Sequence, residues 1–208
     1  MPSTILVTGG LGYIGSHTTV ELIEKGFKVI IVDNLSNSEP FILERIEQVS
    51  GTRPLFYQND LCDVDAVRTI FAENQIDVVI HFAAFKSVSE SVQEPLKYFH
   101  NNLQSLMNVL EVMQEHQVRH IVFSSSATVY GEPDQLPVTE TAPFKKALSA
   151  YGSTKQMGEE ILEKVCAVGN INNISLRYFN PVGAHDTALL GELPKGTPNN
   201  LFPFVTQT

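Results

Sequence analysis

ILVTGGLGYIGSH, from Ile5 to His17, is the most informative stretch of the sequence. An apolar run ends at Thr8, and glycines then follow at the spacing GxxGxxG before a helical pattern begins. In a strand-turn-helix unit, the first glycine permits a tight turn, the second lets the backbone approach a pyrophosphate, and the third allows the helix to pack closely on the strand. The amides that open the helix attract phosphate charge. These glycines, which predict a dinucleotide-binding turn, are Gly9, Gly12 and Gly15.

An acidic residue, Asp33, ends the next apolar run, about 20 residues after the glycines. A carboxylate at this position accepts hydrogen bonds from the hydroxyls of the adenosine ribose and disfavours a 2′-phosphate, so NAD is favoured over NADP. The alternative is that Asp33 serves only as a helix cap or a turn residue.

Short runs rich in β-branched residues recur along the chain and predict strands. Most are nearly continuous in apolar residues, which is typical of strands covered on both faces by helices. Because helical patterns lie between them, the chain is predicted to be an α/β protein with a doubly wound parallel sheet. The runs are Thr4 to Thr8, Lys28 to Asp33, Pro54 to Tyr57, Asp77 to Phe82, His120 to Ser125 and Ile174 to Phe179.

Several helix starts are predicted from capping residues. Asp63 is the expected N-cap of a helix that begins at Val64, and the pair Asn101 and Asn102 is expected to open the next long helix. Prolines and glycines crowd the chain after Pro181, and an amphipathic helix is expected to start near Pro203. We expect one domain over residues 1–180 and only the start of a second over 181–208.

Composition excludes several classes of function. The 208 residues carry 14 Lys and Arg against 23 Asp and Glu, for a formal charge of -9, which disfavours nucleic-acid binding. No apolar run approaches the length of a membrane span, so a cytoplasmic protein is expected. The two cysteines, Cys62 and Cys166, lack the spacing of a metal site, and both are expected to be reduced and buried.

The segment YGSTK places Tyr151 and Lys155 on one face of a predicted helix. A phenol with a pKa of about 10 needs about 4 kcal/mol of preferential stabilisation of its anion to titrate near neutral pH. The ammonium of Lys155, with a cationic nicotinamide nearby, can supply much of that. Taken alone, the pair is interpreted as a solvated helix face, and it becomes specific only beside the N-terminal glycine pattern.

SSSATVYG, from Ser124 to Gly131, follows the fifth predicted strand. Ligands of doubly wound sheets bind outside the carboxyl ends of the strands, so the Ser126 hydroxyl is a candidate to meet a substrate hydroxyl that Tyr151 deprotonates. The alternative is a serine-rich turn that satisfies its own backbone.

Together, VTGGLGYIGSH, VDNLSNS, VIHFAAFKSVSES, FSSSATVYG, YGSTK and LRYFNPVGAH make the chain resemble the extended short-chain dehydrogenase/reductase family and, within it, the UDP-hexose 4-epimerases. The resemblance implies a Rossmann domain with bound NAD and no metal. It also implies interconversion of UDP-galactose and UDP-glucose through a transient 4-keto sugar. A homodimer is usual for the family.

The resemblance also implies the residues of the site. Ser126, Tyr151 and Lys155 would be catalytic. The residues expected to contact NAD are Gly9, Gly12, Tyr13, Ile14, Gly15, Asp33, Asn34, Asn37, Ser38, Asp60, Leu61, Phe82, Ala83, Ala84, Lys86, Asn101, Tyr151, Lys155 and Phe179. Those expected to contact the UDP-sugar are Lys86, Ser126, Tyr151, Asn180, Asn200 and Leu201.

Related dehydratases carry an Asp-Glu pair where this chain has Ala127 and Thr128, so a dehydratase is disfavoured.

Two departures from the family pattern qualify this expectation. Ser89 stands where the epimerases usually have glycine. The family also continues into a second domain that closes over the sugar, and this chain is expected to hold only its start. The chain is therefore expected to bind NAD but to epimerise poorly by itself. A catalytically silent NAD-binding module, or half of a split assembly, is the alternative.

Overall fold

The computed structural model describes residues 2–195 and 201–207. The strands are β1 Thr4–Thr8, β2 Lys28–Val32, β3 Leu55–Tyr57, β4 Val78–His81, β5 His120–Ser126 and β6 Asn172–Tyr178. They form one six-stranded sheet in the order β3-β2-β1-β4-β5-β6, in which every neighbouring pair is parallel. The predicted doubly wound sheet is therefore confirmed.

Helices cover both faces of the sheet. They are α1 Tyr13–Glu24, α2 Phe41–Ser50, α3 Val64–Glu73, α4 Val88–Gln93, α5 Pro95–Glu115, α6 Ala150–Ala167 and α7 Leu201–Gln207. A short 3₁₀ helix over Ala127–Tyr130 follows β5. Alternate residues of each strand point to opposite sides and are apolar on both. Leu6 therefore packs in one apolar cluster with residues of α3, α5 and α6, whereas Ile5 and Val7 pack in a second cluster with residues of α1 and α2.

The direction of strand succession reverses between β1 and β4. Strands β2 and β3 follow to one side of β1, and β4, β5 and β6 follow to the other. The loops that leave the carboxyl ends of β1 and β4 therefore diverge and open a crevice, where doubly wound sheets bind their ligands.

Two predicted helix starts have different outcomes. The cap of α3 is confirmed, since the Asp63 carboxylate accepts hydrogen bonds from the amides of Asp65 at 3.1 Å and Ala66 at 3.2 Å. The start at Asn101 and Asn102 is wrong, because α5 begins at Pro95, whose ring already holds the φ that a first helical residue needs.

Asn102 instead ties α5 to its neighbours. Its side chain accepts a hydrogen bond from the Phe85 amide at 2.8 Å and donates to the Phe85 carbonyl oxygen at 3.0 Å. It also donates to the Thr154 hydroxyl at 3.1 Å, so the amide that resembled a cap links α5 to the loop after β4 and to α6.

The helix at the end of the described chain begins before the predicted position. It does span Pro203, but it already includes Leu201, and most of its apolar side chains are exposed.

The two cysteines are less buried than predicted. Both thiols are free, yet Cys62 is exposed and Cys166 is half-buried, so the expectation of buried thiols is wrong. In the part of the chain that the structure describes, no helix has the length and apolar character needed to cross a membrane.

Candidate active site

A cavity of about 310 Å³ opens at the carboxyl ends of the strands. Its walls are formed by the β1-α1 turn, the loops after β2, β3, β4 and β5, part of α5, the start of α6 and the segment after β6. The predicted site residues that line it are Gly9, Gly12, Tyr13, Ile14, Gly15, Asp33, Asn34, Asn37, Ser38, Asp60, Leu61, Phe82, Ala83, Ala84, Lys86, Asn101, Ser126, Tyr151, Lys155, Phe179 and Asn180.

One predicted substrate residue, Leu201, is not among the described residues that line the cavity. Leu201 begins α7 and is 78% exposed, so the structure does not bring it to the other predicted residues. Asn200 lies outside the described residues.

In the β1-α1 turn, backbone segments lie so close together that side chains would not fit between them. Gly9 has a φ of 65°, and its amide donates to the Val32 carbonyl oxygen at 2.8 Å. A Cβ on Gly15 would lie 2.2 Å from the Gly9 carbonyl oxygen, which explains the third glycine of the pattern. Gly12 is the N-cap of α1 and supplies no side-chain cap, so the first-turn amides of this helix suit an anionic group.

Asp33 follows β2 directly and has two roles. Its carboxylate accepts hydrogen bonds from the amides of Leu11 at 3.1 Å and Leu35 at 2.9 Å, and from the Ser38 hydroxyl at 2.7 Å. The turn role foreseen as an alternative is therefore present. Because the same carboxylate also borders the cavity, it remains placed to accept hydrogen bonds from a ligand.

Helix α6 carries the proposed chemistry to the other end of the cavity. The Ser149 hydroxyl caps this helix by accepting from the Gly152 amide at 3.1 Å. Lys155 is buried, and its Nζ donates to the Ser124 carbonyl oxygen at 2.6 Å. Burial lowers the pKa of Lys155 to about 8.

Tyr151 lies one helical turn before Lys155. The Lys155 Nζ is 5.7 Å from the centroid of the Tyr151 ring. Burial raises the pKa of Tyr151, and the neighbouring Ser126 hydroxyl acts in the opposite direction. The balance in this structure is the reverse of what a base at neutral pH requires.

The segment after β6 crosses the cavity, and sequence analysis did not foresee its path. Glu192 pairs with Lys86 at 3.0 Å, and the Tyr13 hydroxyl donates to the Gly183 carbonyl oxygen at 2.7 Å. Leu190 packs with the cluster beside α1 and α2. The domain boundary after residue 180 stays a prediction. The proline and glycine content indicated a loop here, but nothing in it indicated these partners.

The described residues were compared with the side-chain arrangement that a bound metal ion requires. Within residues 2–195 and 201–207, no group of three or more His, Cys, Asp or Glu side chains is arranged to hold a metal ion.

Known proteins resemble this chain over nearly all of its length. The chain is 52% identical over 204 residues to a UDP-glucose 4-epimerase of Bacillus subtilis (strain 168), with 98% of this chain and 60% of that protein covered. It is 49% identical over 213 residues to a UDP-glucose 4-epimerase of Drosophila melanogaster, with 99% of this chain and 61% of that protein covered. The chain thus spans about 60% of the length of these relatives.

Solved structures agree with this. A UDP-glucose 4-epimerase from Bifidobacterium longum in complex with NAD⁺ and UDP superposes with a TM-score of 0.97 at 50% identity, covering 99% of this chain and 62% of that one. One from Stenotrophomonas maltophila, with bound NAD and formylated UDP-arabinopyranose, gives 0.96 at 50% identity, covering 99% and 61%.

The family assignment follows from the length of the match. The model of the NAD dependent epimerase/dehydratase family matches residues 5–200. This agrees with the motifs and with the parallel sheet, and the resemblance inferred from the sequence is confirmed. The chain therefore belongs to the NAD dependent epimerase/dehydratase family.

Proposed function

We propose that the chain binds NAD and interconverts UDP-galactose and UDP-glucose. The observation that carries this proposal is that one cavity brings Ser126, Tyr151 and Lys155 together with the glycine turn and Asp33. Relatives at about half identity are named UDP-glucose 4-epimerase, which supports the choice of reaction.

The proposed cofactor site fits the residues present. The close approach at Gly15 and the uncapped first turn of α1 suit a pyrophosphate, and Asp33 suits an adenosine ribose. NAD, when bound, supplies a group that accepts a hydride from the sugar and returns it. The remaining proposed contacts with NAD are Tyr13, Ile14, Asn34, Asn37, Ser38, Asp60, Leu61, Phe82, Ala83, Ala84, Lys86, Asn101, Tyr151, Lys155 and Phe179.

The chain's own part in the reaction is to move a proton. Oxidation at sugar C4 requires the proton of the 4-hydroxyl to leave, and the proposed acceptor is the Tyr151 phenolate oxygen. Ser126 is proposed to hydrogen-bond the 4-oxygen. In the return step Tyr151 gives the same proton back to the 4-oxygen, so the chain ends the cycle in the protonation state in which it began.

The phenol must lose its proton before it can act as the base. Burial opposes this loss, and a positive charge beside the phenol favours it. Lys155, with a pKa of about 8, is mainly an ammonium at neutral pH and is placed one turn away. A cationic ring brought close to Tyr151 by ligand binding would act in the same direction.

The proposed contacts with the UDP-sugar are Lys86, Ser126, Tyr151, Asn180, Asn200 and Leu201. Lys86 is half exposed, and its pairing with Glu192 gives it a partner that a substrate phosphate would have to replace or share. Ser89, which replaces a glycine of the family pattern, is exposed at the start of α4 beside this region.

Two finer proposals concern assembly and location. A homodimer is supported by exposed apolar side chains on α5, where Leu96 is 70% and Met107 is 42% exposed. A cytoplasmic location is supported by the free thiols of Cys62 and Cys166, which fit a reducing compartment.

A single-turnover experiment tests the proposed function. The chain is mixed with NAD and UDP-galactose, NADH absorbance is followed, and UDP-glucose is quantified by chromatography. NADH or UDP-glucose is expected, and Tyr151→Phe should give neither. NAD binding by calorimetry without either product would overturn the epimerase proposal and leave an NAD-binding module.

A further inference from the structure

Three residues of α6 lie one turn apart on one face of the helix, and each meets the serine run at the end of β5. Tyr151 neighbours the Ser126 hydroxyl, and Lys155 donates to the Ser124 carbonyl oxygen. Glu159 accepts a hydrogen bond from the Ser125 hydroxyl. The first two belong to the proposed site, whereas Glu159 does not line the cavity.

Glu159 is held by a bidentate ion pair from β6. Arg177 donates from Nε to Glu159 Oε1 at 3.0 Å and from Nη2 to Oε2 at 2.8 Å. The Glu159 side chain is 11% exposed and the Arg177 side chain is 22% exposed, so this pair is far less solvated than the other ion pairs of the described chain. A two-point contact of this kind fixes orientation as well as distance.

The arginine is itself held from several sides. Its Nη1 donates to the Tyr130 hydroxyl at 2.9 Å and to the Glu140 carbonyl oxygen at 3.1 Å. The guanidinium lies 5.0 Å from the Tyr130 ring centroid and 4.8 Å from that of Phe144. Arg177 therefore connects α6 to the 3₁₀ helix that follows Ser126.

The backbone leaves little slack around this contact. Arg177 is the register partner of Ser125 in the β5-β6 ladder, so both side chains emerge on the same face of the sheet. Gly158 lies so close to β5 that a Cβ there would be 2.7 Å from the Phe123 ring. Helix α6 thus rests on β5 beside Glu159, and the ion pair restrains its rotation at that point.

We propose that Glu159 and Arg177 are positioning residues, which hold α6 against the end of β5 so that Tyr151 and Lys155 meet the Ser124–Ser126 run. The reaction they serve is the proposed function of the previous section. Neither residue touches the cavity, and their effect is carried by the helix, two turns from Glu159 to Tyr151.

The first test measures Lys155 in the chain without ligands. Nuclear magnetic resonance of the labelled lysine side chains, with Lys155 assigned from Lys155→Met, gives its pKa. In Glu159→Gln the seam between α6 and β5 should loosen and admit water, so the pKa should rise from about 8 toward 10.5. Loss of the negative charge of Glu159 would by itself lower the pKa of Lys155, so the direction of the change separates a loosened seam from a purely electrostatic effect.

Matched variants keep this test decisive. Ser125→Ala changes no charge and retains the ion pair, so it should fold even if Glu159→Gln does not, and should raise the pKa of Lys155 by a smaller amount. Glu115→Gln breaks the exposed pair with Arg68, which joins α3 to α5, and should leave Lys155 unchanged. If neither Glu159→Gln nor Ser125→Ala raises the pKa of Lys155, the proposal is wrong.

The second test measures hydride transfer in the NAD-loaded chain. Glu159→Gln and Arg177→Lys should slow NADH formation about 10- to 100-fold and weaken NAD binding much less, because a small misplacement of a reacting group is costly. An undiminished rate in both variants would contradict the proposal. An inactive parent chain would instead count against the proposed function, and the titration of Lys155 would still decide the positioning role.

Discussion

The Nζ of Lys155 lies 2.6 Å from the carbonyl oxygen of Ser124, a neutral acceptor that does not balance the charge of the buried ammonium. Burial is the cause of its lowered pKa. The folded chain therefore carries the free-energy cost of a buried charge next to Tyr151 whenever Lys155 is protonated.

Lys155→Met should reveal this cost as a pH-dependent gain in stability. The folded-state pKa is about 8 and the ordinary value is 10.5, so between these pH values the unfolded chain binds more protons and stability rises with pH. Below pH 8 the full cost is present. Urea unfolding should show the variant's advantage to be larger at pH 7 than at pH 10.5 by about 3 kcal/mol.

The matched control for that experiment is Lys164→Met. Lys164 lies on the same helix, but its side chain is 70% exposed. Its substitution buries or exposes no charge, so it should give no stability gain at pH 7 comparable with that of Lys155→Met. Equal gains for the two variants would contradict the predicted cost.

His81 should make the fold sensitive to acid. It is buried on β4, its Nδ1 lies 2.9 Å from the Thr8 hydroxyl, and burial lowers its pKa to about 3. The unfolded chain therefore takes up this proton first, and stability is lost as pH falls below 6.5. The loss should approach about 1.4 kcal/mol per pH unit.

His81→Gln should remove this loss. The slope of unfolding free energy against pH, measured by urea denaturation between pH 6.5 and pH 4, should become flatter in the variant. His100→Gln, at an exposed position, is the matched control and should flatten the slope less than His81→Gln does. Equal slopes for all three chains would show that His81 takes up its proton in the folded state.

Tyr151→Phe should separate binding from chemistry. The substitution removes only the phenolic oxygen, so NAD affinity by calorimetry should change little, whereas the rate of NADH formation from UDP-galactose should fall at least 100-fold. A rate close to that of the parent chain would end the assignment of Tyr151 as the base.

Gly15→Ala should damage the turn that precedes α1. The added Cβ would lie 2.2 Å from the Gly9 carbonyl oxygen and 2.9 Å from the Gly10 Cα, both backbone atoms that cannot move aside independently. We expect a loss of about 1–3 kcal/mol in unfolding free energy and weaker NAD binding. Gly191→Ala, whose Cβ would meet only the Ala184 Cβ at 3.6 Å, should unfold like the parent chain.

The sheet could be predicted from the sequence because strands buried on both faces are almost wholly apolar. The runs around Ile5 and Val29 leave no polar face, which only a doubly covered sheet accommodates. The start of α5 was missed because Asn101 and Asn102 suit a cap equally well in isolation. The hydrogen bonds of Asn102 to Phe85 and Thr154 depend on packing that local pattern does not contain.

Some residues of the candidate site could be predicted from local sequence and others could not. The glycines and Asp33 could be predicted, since their spacing follows from one strand-turn-helix unit. Glu159 and Arg177 carry none, because a glutamate in a helix and an arginine in a strand are ordinary on exposed faces. Their meeting requires β5 and β6 to be paired with Ser125 opposite Arg177. The partnership of Lys86 with Glu192 is likewise set by the path of a loop.

The central position of β1 has a consequence for the kinetics of folding. Its first neighbour, β2, follows after a single helix, but its other neighbour is β4, and the contact between Thr8 and His81 spans 73 residues. Closing a loop of that length must precede the contacts that reward it, which slows folding. On a ribosome, β1 would pair with β2, and β2 with β3, while the other edge of β1 waits for β4 to emerge. That edge is the part of the nascent chain most open to association with other strands.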